Sequence, residues 1–274
     1  MTRRLEKLPT PQGIGANQTA TLTLPPGPTY HALMVRADTN SPLFPADWSS
    51  VFGDIRLIAD GNTKIEASAD FLRKNAQYFG QSIENGVLPI FLGNPFARTI
   101  GGEDLTAYGT ASGVSSLTLE LDIKGFTLSK LEVYAVQSEP SPFGLHKVVR
   151  RFARGFGSIG VDEVADLPTG SHNLMSIDIE NSAIGRVEVL ADGYRVHNSD
   201  LEIRRQTLSN SGRVQQSGFT HIDFVRENRV AFPDANGGVN VEAFPMLLND
   251  FRMKLDFTTA PNSYNIYETT IQGA

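Results

Sequence analysis

Gly53–Gly61 reads GDIRLIADG, and Gly185–Gly193 reads GRVEVLADG. Each stretch is a glycine, an alternation of polar and apolar residues, and then Ala-Asp-Gly. The apolar members are Ile55 and Leu57 in the first copy and Val187 and Val189 in the second. A period of two is the mark of a half-buried strand, because successive side chains along a strand point to opposite faces. The closing Asp-Gly is a turn signal, since glycine accepts the positive φ that tight turns require. One strand-and-turn unit occurring twice raises the question of an internal repeat.

The match continues on both sides. Upstream, Leu24-Pro25-Pro26-Gly27 leads to His31-Ala32-Leu33-Met34, and Leu167-Pro168-Thr169-Gly170 leads to His172-Asn173-Leu174-Met175. Downstream, SADFLRKNAQY (Ser68–Tyr78) and SDLEIRRQTLS (Ser199–Ser209) each open on a serine suited to cap a helix. Both then carry apolar residues near helical spacing and a pair of bases, Arg73-Lys74 and Arg204-Arg205. Further on, LTLELDI (Leu117–Ile123) corresponds to MKLDF (Met253–Phe257), and LEVYA (Leu131–Ala135) to NIYET (Asn265–Thr269), with Tyr134 matched by Tyr267. The offset varies from 131 residues between Ser68 and Ser199 to 143 between Leu24 and Leu167. Insertions in surface connections account for that spread. The constant order of the elements makes tandem duplication the reading.

Each half then holds seven or eight short strands and one short helix between Gly-, Pro- and Asn-rich turns. A parallel α/β sheet would need a helix after nearly every strand, so the pattern predicts an antiparallel sandwich or jelly roll. The expected fold is all-β: two tandem eight-stranded jelly rolls with a short helix in each half. Ser138-Glu139-Pro140-Ser141-Pro142 signals a linker. The expected organisation is an N-terminal jelly roll over 1–140, a basic linker over 141–160 and a C-terminal jelly roll over 161–274. Within that linker LHKVVRRFARGF (Leu145–Phe156) holds Lys147, Arg150, Arg151 and Arg154 and no acid. Its apolar residues fit a helix face and a strand alternation equally well. Arg3, Arg4 and Lys7 form a shorter basic group at the N-terminus.

Composition narrows the functional classes. The 274 residues are 40% hydrophobic and 20% charged, ordinary values for a chain with a core. With 25 Gly and 15 Pro the chain is neither collagen-like nor low-complexity. A net charge of −6 argues against direct contact with nucleic acid, which needs excess Lys and Arg to neutralise phosphates. The absence of cysteine excludes disulfides, thiolate metal sites and cysteine nucleophiles. No run approaches the roughly 20 apolar residues that span a bilayer. MTRRLEKLPTPQG lacks the apolar stretch of a secretory signal.

Catalytic patterns are mostly missing. Two tandem jelly rolls could be a bicupin, but such centres need clustered histidines, and His31, His146, His172, His197 and His221 stand singly. The expected role of His31 and His172 is that of half-buried or rim residues at equivalent strand starts. Gly-x-Ser-x-Gly and a phosphate-binding Gly-Lys-Ser/Thr are absent. Gly155-x-Gly157-x-x-Gly160 matches a dinucleotide-loop spacing but follows a basic segment, not a buried strand of a βαβ unit. Glu120 with Asp122, and Asp178 with Glu180, could serve glycoside hydrolysis, although two carboxylates two apart on a strand usually mark a solvated or inter-subunit face. Asp234-Ala235-Asn236-Gly237-Gly238 opens like a calcium loop but lacks the alternating acids and distal Glu, and reads equally as an Asn-Gly turn. The chain is therefore not expected to be an enzyme. The basic segment is the best interaction candidate, since clustered cations are drawn to anionic headgroups.

LPPGPTY (Leu24–Tyr30), Arg150-Arg151, EVADLP (Glu163–Pro168) and DFRMKLD (Asp250–Asp256) resemble, in order and spacing, segments of corticovirus-type major capsid proteins of tailless, membrane-containing icosahedral phages. The resemblance covers nearly the whole chain, and Asn85–Ser112 departs from it, which is consistent with a longer outer loop. It implies a double jelly roll standing upright in a capsid shell and a pseudo-hexagonal homotrimer. Its partners would be neighbouring trimers, penton or vertex proteins and the surface of an inner membrane that separates shell from genome. The virion would be the protein's location, after assembly in the host cytoplasm. Arg3, Arg4, Lys147, Arg150, Arg151 and Arg154 would be the inner, membrane-facing bases. The resemblance associates calcium with capsid contacts but carries over no ligand residue, and no other cofactor is expected. A lectin-like tandem β-sandwich is the alternative, and a glycosidase-like enzyme a third.

Overall fold

The computed structural model describes residues 3–39, 47–228, 231–233, 239–241 and 243–273. It divides into two units, Met1–Arg150 with Gly273–Ala274, and Arg151–Gln272. The strands of the first unit are β1 (Arg4–Lys7), β2 (Thr19–Thr23), β3 (Thr29–Thr39), β4 (Phe52–Ala59), β5 (Asn62–Ser68), β6 (Val87–Phe91), β7 (Tyr108–Gly109), β8 (Leu117–Ile123) and β9 (Leu128–Ser138). Its helices are α1 (Ala69–Tyr78) and α2 (Ile100–Asp104). Strand β10 (His146–Phe156) carries the chain from one unit into the next. The second unit holds β11 (Gly160–Val164), β12 (His172–Ile179), β13 (Ile184–Ala191), β14 (Tyr194–Asp200), α3 (Leu201–Asn210) and β15 (Thr220–Asp223). It continues with β16 (Ala231–Pro233), β17 (Val239–Val241), β18 (Phe244–Pro245), β19 (Phe251–Phe257) and β20 (Asn262–Gln272).

The pairings repeat strand for strand. In the first unit β2, β8, β4 and β5 lie side by side, every pairing antiparallel; in the second β11, β19, β13 and β14 do the same. On the other face of each sandwich β3 lies between β9 and β6, and β12 lies between β20 and β15. This is the arrangement of a duplicated jelly roll. The second unit's core shows why the alternation reads as it does. Val187 and Val189 of β13, and Met253, Leu255 and Phe257 of β19, point inward onto Ile177 and Ile266. Each such side chain contributes about 1.5–3 kcal/mol on burial.

The two Ala-Asp-Gly turns are the same device. Asp60 and Gly61 have φ of 48° and 78°, Asp192 and Gly193 of 46° and 81°. Positive φ at both central residues defines the hairpin turn whose twist matches that of the strands, and Asp and Gly are among the few residues that accept it. The aspartate is chosen for a further reason. Asp60 Oδ1 accepts from the backbone N–H of Ser115 (2.9 Å) and Ser116 (2.8 Å), fastening the chain as it enters β8. Asp192 Oδ1 accepts from Asn249 (2.8 Å) and Asp250 (2.9 Å), fastening the entry to β19. These amide bonds, the one from Ser116 first, hold the Asp60 carboxyl below its ordinary pKa.

Helix α1 is capped as its sequence predicts, Ser68 Oγ accepting from Phe71 N at 3.1 Å. Helix α3 differs. Ser199 belongs to β14, Asp200 is the N-cap, and its side chain makes no capping bond. The Leu145–Phe156 segment is a strand: His146–Val149 are all buried, and exposure alternates only beyond them. Asn85–Ser112 is more than a loop. It supplies β6, α2 and β7 and places Leu88, Ile90, Leu92, Thr106 and Tyr108 in the core, because its apolar run is long enough to make a buried strand. Pro89 is tolerated there because β6 lies at the edge of its sheet.

Candidate functional site

The basic residues that the sequence groups together are held in different ways. Arg3, ahead of β1, forks onto α2: Nη1 lies 2.8 Å from Glu103 Oε1 and Nη2 2.5 Å from Asp104 Oδ1. Asp104 Oδ1 also stands 3.1 Å from His31 Nδ1. The other ring nitrogen of His31 lies 2.7 Å from Ser138 Oγ. His31 is buried, and burial lowers its pKa more than Asp104 raises it. Arg3, α2, β3 and β9 are thereby joined around a neutral ring, so His31 is a structural residue more deeply buried than a rim position would be.

Lys147, expected among the membrane-facing bases, is largely buried. It lies in the buried start of β10, and its Nζ donates to Gly93 O at 2.7 Å and Phe91 O at 3.2 Å. Burial pushes its pKa down to about 7. The Tyr108 hydroxyl donates to the Lys147 carbonyl, and burial moves that phenol upward. Lys147 is 8% exposed, between the buried His146 and Val148-Val149, so among the bases of this run it is the one held within the fold.

Arg154 is engaged as well. Its Nη1 lies 2.6 Å from Asp166 Oδ1, and Asp162, 4.0 Å from its Nε, accepts the Tyr264 hydroxyl at 2.5 Å. Arg150 and Arg151 are half-buried. Arg150 lies near Lys64, whose pKa is lowered by burial and then by that guanidinium. Arg4 is exposed on β1. Among the described residues Arg4 and Arg150 have no ion pair with any carboxylate.

The carboxylate pairs separate on inspection. Glu120 and Asp122 both hold Arg56, each at 3.0 Å. Asp178 is fully buried, against the expectation of a solvated face: Oδ1 lies 2.6 Å from His221 Nδ1 and Oδ2 accepts from Ser176 at 2.9 Å. Glu180 accepts from Asn265 at 2.7 Å. Gly155 and Gly160 lie in strands, with no helix following the glycines. The Asp234–Gly238 loop lies outside the described residues. Among the described residues no group of three His, Asp or Glu side chains could hold a metal ion, and no helix is long and apolar enough to cross a membrane.

Sequence reasoning missed the buried ionic sites of the second unit. Arg213 and Asp223 form a pair at 2.6 Å, and Arg204 is buried in α3. Arg204-Arg205 stood out as a doublet, but nothing in the sequence distinguishes its inward member from its outward one.

Comparison with known proteins bears on both units. Residues 5–138 match the family model "Viral coat protein P2 N-terminal domain", and residues 147–274 match "Viral coat protein P2 C-terminal domain". No curated protein matches in sequence. Among solved structures, the major capsid protein P2 of Bacteriophage PM2 is similar with a TM-score of 0.85 at 20% identity, covering 100% of this chain and 98% of that one. The STIV MCP follows with a TM-score of 0.67 at 11% identity, covering 100% and 97%. The PBCV-1 virus capsid gives 0.62 at 8% identity, covering 100% and 96%. At these identities the structures establish the double jelly roll, while the two family models account for nearly every residue; the chain belongs to the viral coat protein P2 family and is a coat protein of the virion shell.

Proposed function

We propose that this major capsid protein works as a homotrimer in which each chain contributes two similar jelly rolls. The observation that carries the reading is the strand-for-strand duplication of β2-β8-β4-β5 as β11-β19-β13-β14. Two similar sandwiches per chain, repeated by a three-fold axis, give six near-equivalent bodies and a hexagonal outline. Such an outline tiles a facet through contacts with neighbouring trimers, and vertex proteins close the shell where six-fold packing ends. Light scattering on the purified chain is expected to give three times its 29.9 kDa mass. A monomer at all concentrations, with or without calcium, would overturn the trimer.

The inner face of the shell meets a membrane through Arg4 and Arg150, the members of the basic set without an ion pair among the described residues. Each cation near an anionic bilayer contributes about 1 kcal/mol. Charge reversal in Arg4→Glu and Arg150→Glu together is expected to weaken co-sedimentation with phosphatidylglycerol vesicles by at least about tenfold. Unchanged sedimentation would remove the membrane from the list of partners.

A further inference from the structure

A cavity of about 270 Å³ opens in the second unit between β14, α3 and the chain that follows β15. Among its walls are His197, Ser199, Arg204, Asp223 and Arg226. Arg204 is only 4% exposed. Its Nη2 donates to Ile184 O at 3.0 Å, and its Nη1 has no hydrogen-bond partner. Arg226 is exposed, and among the described residues neither guanidinium is ion-paired with a carboxylate. Asp223, the carboxylate in the wall, is already paired with another guanidinium. Its Oδ2 accepts from Arg213 Nε at 2.6 Å and its Oδ1 from Val225 N at 2.8 Å.

The cavity is therefore cationic and not neutralised from within. The His197 imidazole adds no further charge: it is pushed down to about 4, by burial first and then by Arg204 and Arg226, and its Nε2 lies 2.8 Å from Ser199 Oγ, while the cavity's other imidazole, His221, faces Asp178 at 2.6 Å. Arg204 is itself lowered to about 10, by burial and then by Arg205, with Asp200 and Glu202 acting in the opposite sense from outside ion-pair range. A buried guanidinium nitrogen without an acceptor is unfavourable, and a charged acceptor is the group that best relieves it.

We propose that this cavity binds a phosphate group, held between the guanidiniums of Arg204 and Arg226 with the Ser199 hydroxyl beside them. A planar guanidinium matches two phosphate oxygens at once, and two of them on different elements suit a tetrahedral anion better than a planar carboxylate. The volume equals that of about nine waters at about 30 Å³ each, which admits a phosphate ester as well as the free ion. A phosphorylated metabolite and a phospholipid headgroup share this chemistry.

The full-length chain would be titrated calorimetrically with sodium phosphate and, at matched ionic strength, with sodium chloride. Saturable binding is expected for phosphate alone. Arg226→Gln changes an exposed residue and should leave the melting curve intact while weakening phosphate by at least about tenfold, the worth of one charge-assisted hydrogen bond. Arg204→Met should abolish binding, and if that variant does not fold, Arg226→Gln decides alone. A phosphate titration like the chloride one, or unchanged affinity in Arg226→Gln, would overturn the site. Vesicles of phosphatidylglycerol identify the source. Weakened vesicle binding by Arg226→Gln assigns the site to headgroups, and loss of phosphate with vesicle binding intact assigns it to soluble phosphates. The mass of the assembly in solution plays no part in either result.

Discussion

Replacing Arg213 with methionine is expected to lower the unfolding free energy by about 3–5 kcal/mol, the range for removing one partner of a buried ion pair. The side chains of Arg213 and Asp223 are 2% and 0% exposed. Nε of Arg213 lies 2.6 Å from Asp223 Oδ2, Nη2 donates to Val225 O at 3.0 Å, and Nη1 donates to Asn228. One guanidinium thus closes the turn after β15 as well as neutralising a carboxylate. Burial still raises the Asp223 pKa, with the guanidinium pulling the other way, so desolvation outweighs the attraction. The pair is therefore not a large net source of stability. Its loss is costly because an unpaired charge and an unpaired carbonyl are left behind. Arg213→Met with Asp223→Leu should recover most of the deficit. Urea titration followed by circular dichroism would measure it. A cost of about 1 kcal/mol or less, the value of an exposed pair, would contradict this account.

Lys147→Met is expected to change how stability depends on pH. In the folded chain burial puts Lys147 at about 7, against 10.5 for a lysine in water. Between those values the unfolded chain binds a proton that the folded chain does not. Stability therefore rises with pH across that window, and below about 7 the penalty is present in full. Methionine removes the proton altogether. The parent should gain on the variant from pH 7 to 10.5, with an upper bound of about 5 kcal/mol at about 1.4 kcal/mol per pH unit. The variant also leaves Phe91 O and Gly93 O without their donor, at about 1–3 kcal/mol, but that cost does not depend on pH. Stability profiles that run parallel over this range would refute the assignment.

What the sequence disclosed and what it hid follow one rule. Period-two alternation in GDIRLIADG and GRVEVLADG, and the turn that ends each, depend on neighbours along the chain, so the hairpins β4-β5 and β13-β14 could be read directly. The same holds for the Ser68 cap of α1. The second cap was misplaced by one residue because Ser199 and Asp200 are both good capping types and only the backbone decides between them. Charges were less legible. Lys147, Arg150, Arg151 and Arg154 form one basic run, yet Lys147 is buried while Arg154 is neutralised by acids that follow β10. Burial of a charge depends on partners remote in sequence, here the carbonyls of Phe91 and Gly93. For the same reason Asp178 could not be told from Glu180 until His221 was placed beside it.

The paired Ala-Asp-Gly turns also bear on how the molecule ages. Asp-Gly is, with Asn-Gly, a dipeptide prone to conversion to isoaspartate, because an unhindered glycine nitrogen can attack the preceding side-chain carbonyl and close a five-membered imide. That ring forms most readily from a protonated, freely rotating carboxyl. Asp60 is held in its ionised form by the amides of Ser115 and Ser116, and Asp192 is anchored by those of Asn249 and Asp250. The bonds that fasten two strands thus also protect the backbone at two perishable links, an advantage for a shell that must endure without resynthesis.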